Sequence, residues 1–223
     1  MKSILNISGR LTSDANINSK VAFINLAINK SYKNKNDEWV KKTHYVNNIA
    51  VFDLEKAKNL KKGDLVIIYG NICNTSYIKD CKTIYITSIT ASQVYKINES
   101  SEKKVRTSIN INKAHAIGRI GKKPYRFGDG GISFDIAINT FHNGEKQTKW
   151  ISIIAFNKIA DNVEKVLSVG NLVEINGEFQ YSVKNQKQGA VILRSFQKFS
   201  SKNDQKNDDE ISDNSEYSDD VPF

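Results

Sequence analysis

The chain repeats itself. ISGRLTSD at 7–14 returns as AIGRIGKK at 116–123, LAIN at 26–29 as IAIN at 136–139, and GDLVIIYGNI at 63–72 as GNLVEINGEF at 170–179. The spacing between copies drifts while their order is kept, so the loops differ in length and the elements do not. A unit this long is not the short repeat of a helical solenoid. The 223 residues therefore divide into two small domains of one kind, expected at 1–97 and 108–199. They are joined by the polar, aperiodic linker NESSEKKVRT at 98–107.

Within each unit the pattern is mainly strand. SILNISGRL, VAFINLAINKSY, VNNIAVF, DLVIIYGNI and KTIYITSITASQV are rich in Ile, Val, Thr and Tyr, and several alternate with polar residues. After the third strand of the second unit, DNVEKVLSVG at 161–170 spaces Val163, Val166 and Leu167 as a short amphipathic helix stopped by Gly170. DLEKAKNLKKG at 53–63 is a shorter version. The link from Phe52 to Gly63 is three residues shorter than that from Phe156 to Gly170, so its helix should be shorter by about one turn. Three strands, a helix and two strands is the order of a five-stranded Greek-key barrel of the OB type. The expected fold class is mainly β: two tandem barrels and a disordered acidic tail at 200–223. Gly9 with Gly118, and Gly70 with Gly177, fall where so small a barrel must bend.

Charge is distributed unevenly. Residues 203–223 hold eight acids and one lysine, a net of −7, against +9 for the whole chain. The body is therefore +16, shared equally by residues 1–97 and 98–202, which points to a polyanionic partner. No apolar run is long enough to cross a bilayer, so a cytoplasmic protein is expected. Cys73 and Cys81 are too few for a disulfide framework and read as ordinary thiols. His44, His115 and His142 are scattered, with no phosphate-cradling motif and no metal-ligand spacing. No enzyme, metal or cofactor is expected.

Aromatics among lysines carry the functional reading. Tyr32 lies in KSYKNK, Tyr45 follows Lys41 and Lys42, Tyr77 precedes Lys79, Trp150 follows Lys149, and Tyr181 precedes Lys184. Exposed rings beside ammonium groups bind single strands with little sequence preference, because every base has a π-face and every linkage a phosphate. For Phe52, Phe141 and Phe156 a core role competes on even terms. Arg10, Lys33, Lys35, Lys41, Lys42, Lys79, Arg119, Lys149, Lys184 and Lys187 are the cations expected to meet phosphates. Trp150 and Phe156 are six apart and share a face of a regular strand. Tyr45 and Phe52, seven apart, share one only if a bulge intervenes, around Asn47 and Asn48.

The stretches ISGRLTSD, VAFINLAINKSY, THYVNNIAVF and KKGDLVIIYGNI, then AIGRIGKK, SFDIAIN, TKWISIIAFNKIADNVEKVLSVGNLVEINGEF and the tip DDVPF, resemble bacterial single-stranded DNA-binding proteins with two OB domains per chain. The resemblance covers nearly the whole chain. It implies stacking rings at Tyr32, Tyr45, Phe52 and Tyr77 in the first unit and at Phe141, Trp150, Phe156 and Tyr181 in the second. It also implies that the tail is a tether whose tip, Asp219, Asp220, Val221, Pro222 and Phe223, is grasped by replication, recombination and repair enzymes. A basic pocket would take the carboxylates and an apolar slot the Phe ring. A homodimer with four barrels follows from the same resemblance. An OB protein for structured RNA, or a primosome accessory, is the alternative.

Overall fold

The computed structural model describes residues 3–33, 36–97, 110–128, 130–142, 144–181 and 188–199. The side chains of Tyr32, Lys79, Phe141 and His142 fall outside that description, as do Lys35, Lys184, Lys187, the linker 98–107 and the tail 200–223.

The first unit runs β1 (Ser3–Leu11), β2 (Asn16–Ile17), β3 (Ala22–Lys33), β4 (Trp39–Val51), α1 (Leu54–Lys58), β5 (Leu65–Lys79) and β6 (Lys82–Lys96). The second repeats the order: β7 (Asn112–Ile120), β8 (Tyr125–Phe127), β9 (Gly131–His142), β10 (Glu145–Phe156), α2 (Asn157–Val166), β11 (Leu172–Tyr181) and β12 (Gly189–Lys198). In each, the long strands close on themselves. β1 pairs with β3 and β5, β3 with β4, β5 with β6, and β4 runs parallel to β6. β7, β9, β10, β12 and β11 close the second ring in the same way. These are two OB-type barrels, each carrying one tiny extra strand, β2 or β8.

Alternation explains why the rings close. In β10, Ile151, Ile153 and Ala155 are buried while Ser152 and Ile154 are only partly covered. Ile7, Ile24, Ile49 and Ile68 fill the first core, and Ile136, Ile153, Val173 and Phe179 the second. Each side chain of this size contributes about 1.5–3 kcal/mol when fully buried. The helices plug the barrel ends through Ala57 in α1 and Ala160 and Val163 in α2.

The repeated glycines sit at two kinds of tight place. A Cβ at Gly9 or Gly118 would lie 2.7 Å from the carbonyl oxygen of Ala27 or Ala137 on the adjoining strand. Gly70 and Gly177 each sit at a register shift, between β5 and β6 and between β11 and β12. The anticipated bulge in β4 is present as well. Asn47 and Asn48 together face Asn25, Asn48 adopts φ 57°, and its N–H donates to Asn25 Oδ1 at 2.8 Å.

The second helix differs from its expected span. It begins at Asn157, directly after β10, and ends at Val166, with Leu167 already extended. Gly170, at φ 84°, belongs to the turn before β11 and does not terminate the helix. With five residues against ten, α1 is shorter than α2 by somewhat more than one turn.

The two barrels are joined through their first strands. β1 and β7 pair antiparallel from Ser3 opposite Ala116 to Ile7 opposite Asn112. Ser8 extends this seam, its N–H donating to Ile111 O and its hydroxyl accepting from Ile111 N, both at 2.8 Å. A second set of contacts is reciprocal. Asn74, four residues past Gly70, donates to Ser152 Oγ at 2.9 Å, while Tyr181, four past Gly177, donates to Asn47 O at 3.1 Å. Ser152 and Asn47 themselves each lie two residues past an aromatic, Trp150 and Tyr45. The strand following each bulge glycine thus leans on the outer face of the other barrel.

Candidate nucleic-acid interface

On β10 the residues between core positions project outward, so Trp150, Ser152, Ile154 and Phe156 share one face. The hairpin of β5 and β6 stands across that face, with Asn74 opposite Trp150. A cleft of about 1180 Å³ lies between them. Trp150, Phe156 and Phe127 line it from the second barrel and Tyr85 from the first, with Lys122 on its wall. Polar contacts hold it open in a defined shape. Thr87 Oγ1 accepts from Gly189 N–H at 2.7 Å and donates to Asn74 Oδ1 at 3.0 Å, and Ser152 Oγ donates to Asp135 Oδ1 at 2.7 Å.

In the first barrel the β4 bulge restores the face that the seven-residue spacing would otherwise break, and Tyr45 and Phe52 are both exposed. Tyr77 is exposed on the β5–β6 hairpin, opposite Ile84. Trp39, at the β3–β4 hairpin, is the most exposed large ring among the described residues at 69% and has Lys33 Nζ 6.0 Å from its centroid. Further along β4, His44 is held below the ordinary histidine range, first by burial and then by the fields of Lys42 and Lys30.

Tyr181 departs from the expectation of an exposed platform. By its distance from the bulge glycine it corresponds to Asn74 in the seam, three residues short of the position of Tyr77. Its ring meets Phe179 edge-on at 4.9 Å, its hydroxyl is bonded to the first barrel, and burial pushes its pKa up to about 12. The cations divide. Arg10 and Arg119 each donate to the carbonyl of a turn glycine, Gly63 at 3.0 Å and Gly170 at 2.9 Å, so each braces the turn before the fourth long strand. Lys33 pairs with Asp37 at 2.7 Å. Lys41, Lys42 and Lys149 are exposed along β4 and β10 beside Tyr45 and Trp150. Sequence reasoning passed over Tyr85, Tyr125 and Phe127, which are exposed or lie on this face.

His115 contacts Glu174 at 2.7 Å. Among the described residues no group of His, Cys, Asp or Glu is placed to hold a metal. Cys73 and Cys81 are both free thiols, and burial raises the pKa of Cys73. No helix of the described residues is long and apolar enough to cross a membrane.

The profile of the Single-strand binding protein family matches residues 4–97 and again 111–199. The chain belongs to this family. Among curated family relatives, Single-stranded DNA-binding protein 1 of Staphylococcus aureus (strain MSSA476) is 36% identical over 89 residues, 37% of this chain and 57% of that protein. The namesake from Staphylococcus aureus (strain COL) is 34% identical over 110 residues, 44% of this chain and 66% of that one. The chain thus spans 57% of the length of the first of these relatives. The wild-type single-stranded DNA binding protein from Thermus aquaticus shares the fold, with a TM-score of 0.70 at 14% identity, over 90% of this chain and 94% of that one.

Proposed function

We propose that the chain binds single-stranded DNA with little regard to sequence, through two faces of stacking rings set among cations, and that it performs no chemistry on the strand. The reading is carried by one observation: Trp150 and Phe156 stand exposed on the same face of β10, on the wall of an open cleft with Lys122. Family membership and the +16 body support it. Tyr45, Phe52 and Tyr77 play the same part on the first barrel, while Lys41, Lys42 and Lys149 neutralise phosphates. Tyr32, Phe141, Lys35, Lys79, Lys184 and Lys187 complete the interface in this proposal on the strength of their sequence positions. Arg10 and Arg119 contribute any phosphate contact from guanidinia that already brace a turn.

The division into domains at 1–97 and 108–199, with a linker between and the tail at 200–223, belongs to the same proposal. So do a cytoplasmic, nucleoid-associated location and a homodimer with four barrels. The tip from Asp219 to Phe223 serves replication, recombination and repair enzymes as a handle.

Competition decides the matter. Poly(dT) should displace a labelled oligonucleotide at far lower concentration than duplex DNA or hairpin RNA, and a preference for hairpin RNA overturns the proposal. The affinity should fall with salt at a slope of roughly −0.7 per phosphate contact while a stacking component persists. Sedimentation at several concentrations tests the dimer, which a strict monomer would refute.

A further inference from the structure

The β8 strand of the second barrel carries Tyr125, Arg126 and Phe127, and neither the family match nor the sequence reading assigns them a task. Alternate residues of a strand point to opposite sides. Arg126 points to α2, where Nε donates to Glu164 Oε2 at 2.8 Å and Nη2 to Asp161 Oδ1 at 2.7 Å. That two-carboxylate clamp fixes the strand and sends the two flanking rings the other way. Phe127 packs edge-on to Phe156 with centroids 6.2 Å apart, and Tyr125 lies 6.4 Å beyond Phe127. The rings are tilted by 75° and 54°, so they do not stack on one another, and Tyr125 is the outermost of the row. Tyr125 is 62% exposed, and its hydroxyl has no partner among the described residues.

The position is built for a ring. Phe127 lies across Gly131, where a Cβ would come within 2.7 Å of its Cζ. The first barrel lacks every part of this arrangement. Ile17 pairs with Ala22 as Arg126 pairs with Ile132, which places Asn16, Ile17 and Asn18 where Tyr125, Arg126 and Phe127 stand. The same register puts Val21 at the place of Gly131, and its side chain would fill the space that Phe127 occupies.

We infer that Tyr125 and Phe127 continue the base-stacking track of the second barrel past Phe156, forming a subsite for unpaired nucleobases that the first barrel does not have. The inference rests on the single-strand reading above. Continuity selects this occupant: the row begins at Phe156, and Lys122 lines the same cleft as Phe127 and Phe156, so a cation is at hand for the phosphate of a base stacked there. Arg126 is a positioning residue, committed to α2 and not to the strand.

The test uses the full chain and oligo(dT) of increasing length. Tyr125→Leu with Phe127→Leu keeps apolar bulk and removes both π-faces. The double variant should lose roughly fivefold or more in affinity for long oligo(dT), with an unchanged salt slope and an unchanged melting temperature. Affinity within twofold of the parent overturns the subsite. Photocrosslinking of a 5-iododeoxyuridine oligonucleotide gives a second readout on the unmodified protein: nucleotide attached to Tyr125 or Phe127 supports the subsite, and crosslinks confined to Trp150 and the first barrel overturn it. Parent protein that fails to bind oligo(dT) at all brings down the single-strand reading itself, an outcome distinct from parental binding with indifferent leucine variants.

Discussion

Trp150 turns the edge of its indole to a position that admits no side chain. A Cβ on Gly121 would sit 2.1 Å from Cζ3 of the indole, so the ring's pose depends on that glycine. The first barrel has Thr12 at the repeat-equivalent position, and Tyr45, the counterpart of Trp150, is more exposed there. Trp150→Ala should weaken single-strand binding by about 1–3 kcal/mol, as loss of one stacked base does, and leave the fold intact. Gly121→Ala should displace the indole without removing it. In a Trp39→Phe background, which leaves one emitter, its fluorescence should shift and its quenching by oligo(dT) should fall. Unchanged emission would show that the slot is looser than the contact implies. Trp150 and Phe156 were legible in the sequence because a regular strand turns an even spacing into a shared face. Tyr181 was not, because a tyrosine near lysines looks the same whether its hydroxyl meets water or the carbonyl of Asn47. Phe127 was hidden for another reason: GKKPYRFGDGG reads as a turn, and only the pairing with β9 shows a strand there.

At the scale of elements, odd and even spacing proved informative about backbone irregularity. Seven residues between Tyr45 and Phe52 required a bulge, and Asn47 and Asn48 supply it. The start of α2 left no comparable trace. Phe156 caps the helix without a side-chain hydrogen bond and Asn157 takes φ 54°, so no Ser, Thr or Asp marks the boundary, and the apolar periodicity becomes visible only further along. The strongest backbone constraint is at the bulge glycines. A Cβ on Gly177 would lie 2.3 Å from Ile192 O and 2.6 Å from Val191 Cγ1, and relief requires β12 to move. Gly177→Ala should therefore destabilise by about 1–3 kcal/mol, as overpacking does, lowering the melting temperature by about 2–4 °C for each kcal/mol. Thermal unfolding followed by circular dichroism measures it. A melting temperature equal to the parent's would mean that β12 yields at little cost.

For the whole molecule, the repeat was enough to specify two barrels but silent on how they meet. Alternation tells that one face of β1 is buried and leaves open which strand lies at its edge, so the pairing with β7 had no signature. Charge is the property that integrates over the chain. Removing residues 203–223 takes away eight acids and one lysine and raises the formal charge from +9 to +16. Single-strand affinity should then be unchanged or tighter at low salt, with the difference vanishing as salt screens the tail from the body. Removing Phe223 alone should leave DNA affinity as it is and sharply reduce recovery of helicases and repair enzymes from a bacterial extract. Equal recovery by both proteins would make the tail a solubilising appendage. The antiparallel seam of β1 with β7, together with the reciprocal contacts of Asn74 and Tyr181, relates the barrels by a local two-fold rotation. A nucleic acid strand has a direction and a two-fold axis reverses directions. A strand passing straight from one barrel to the other would run 5′ to 3′ from Phe52 towards Tyr45 on the first face and from Trp150 towards Phe156 on the second, or the opposite on both. On that path the two faces would meet opposite chemical polarities of the same strand, and the residues of one copy would be under no obligation to match those of the other.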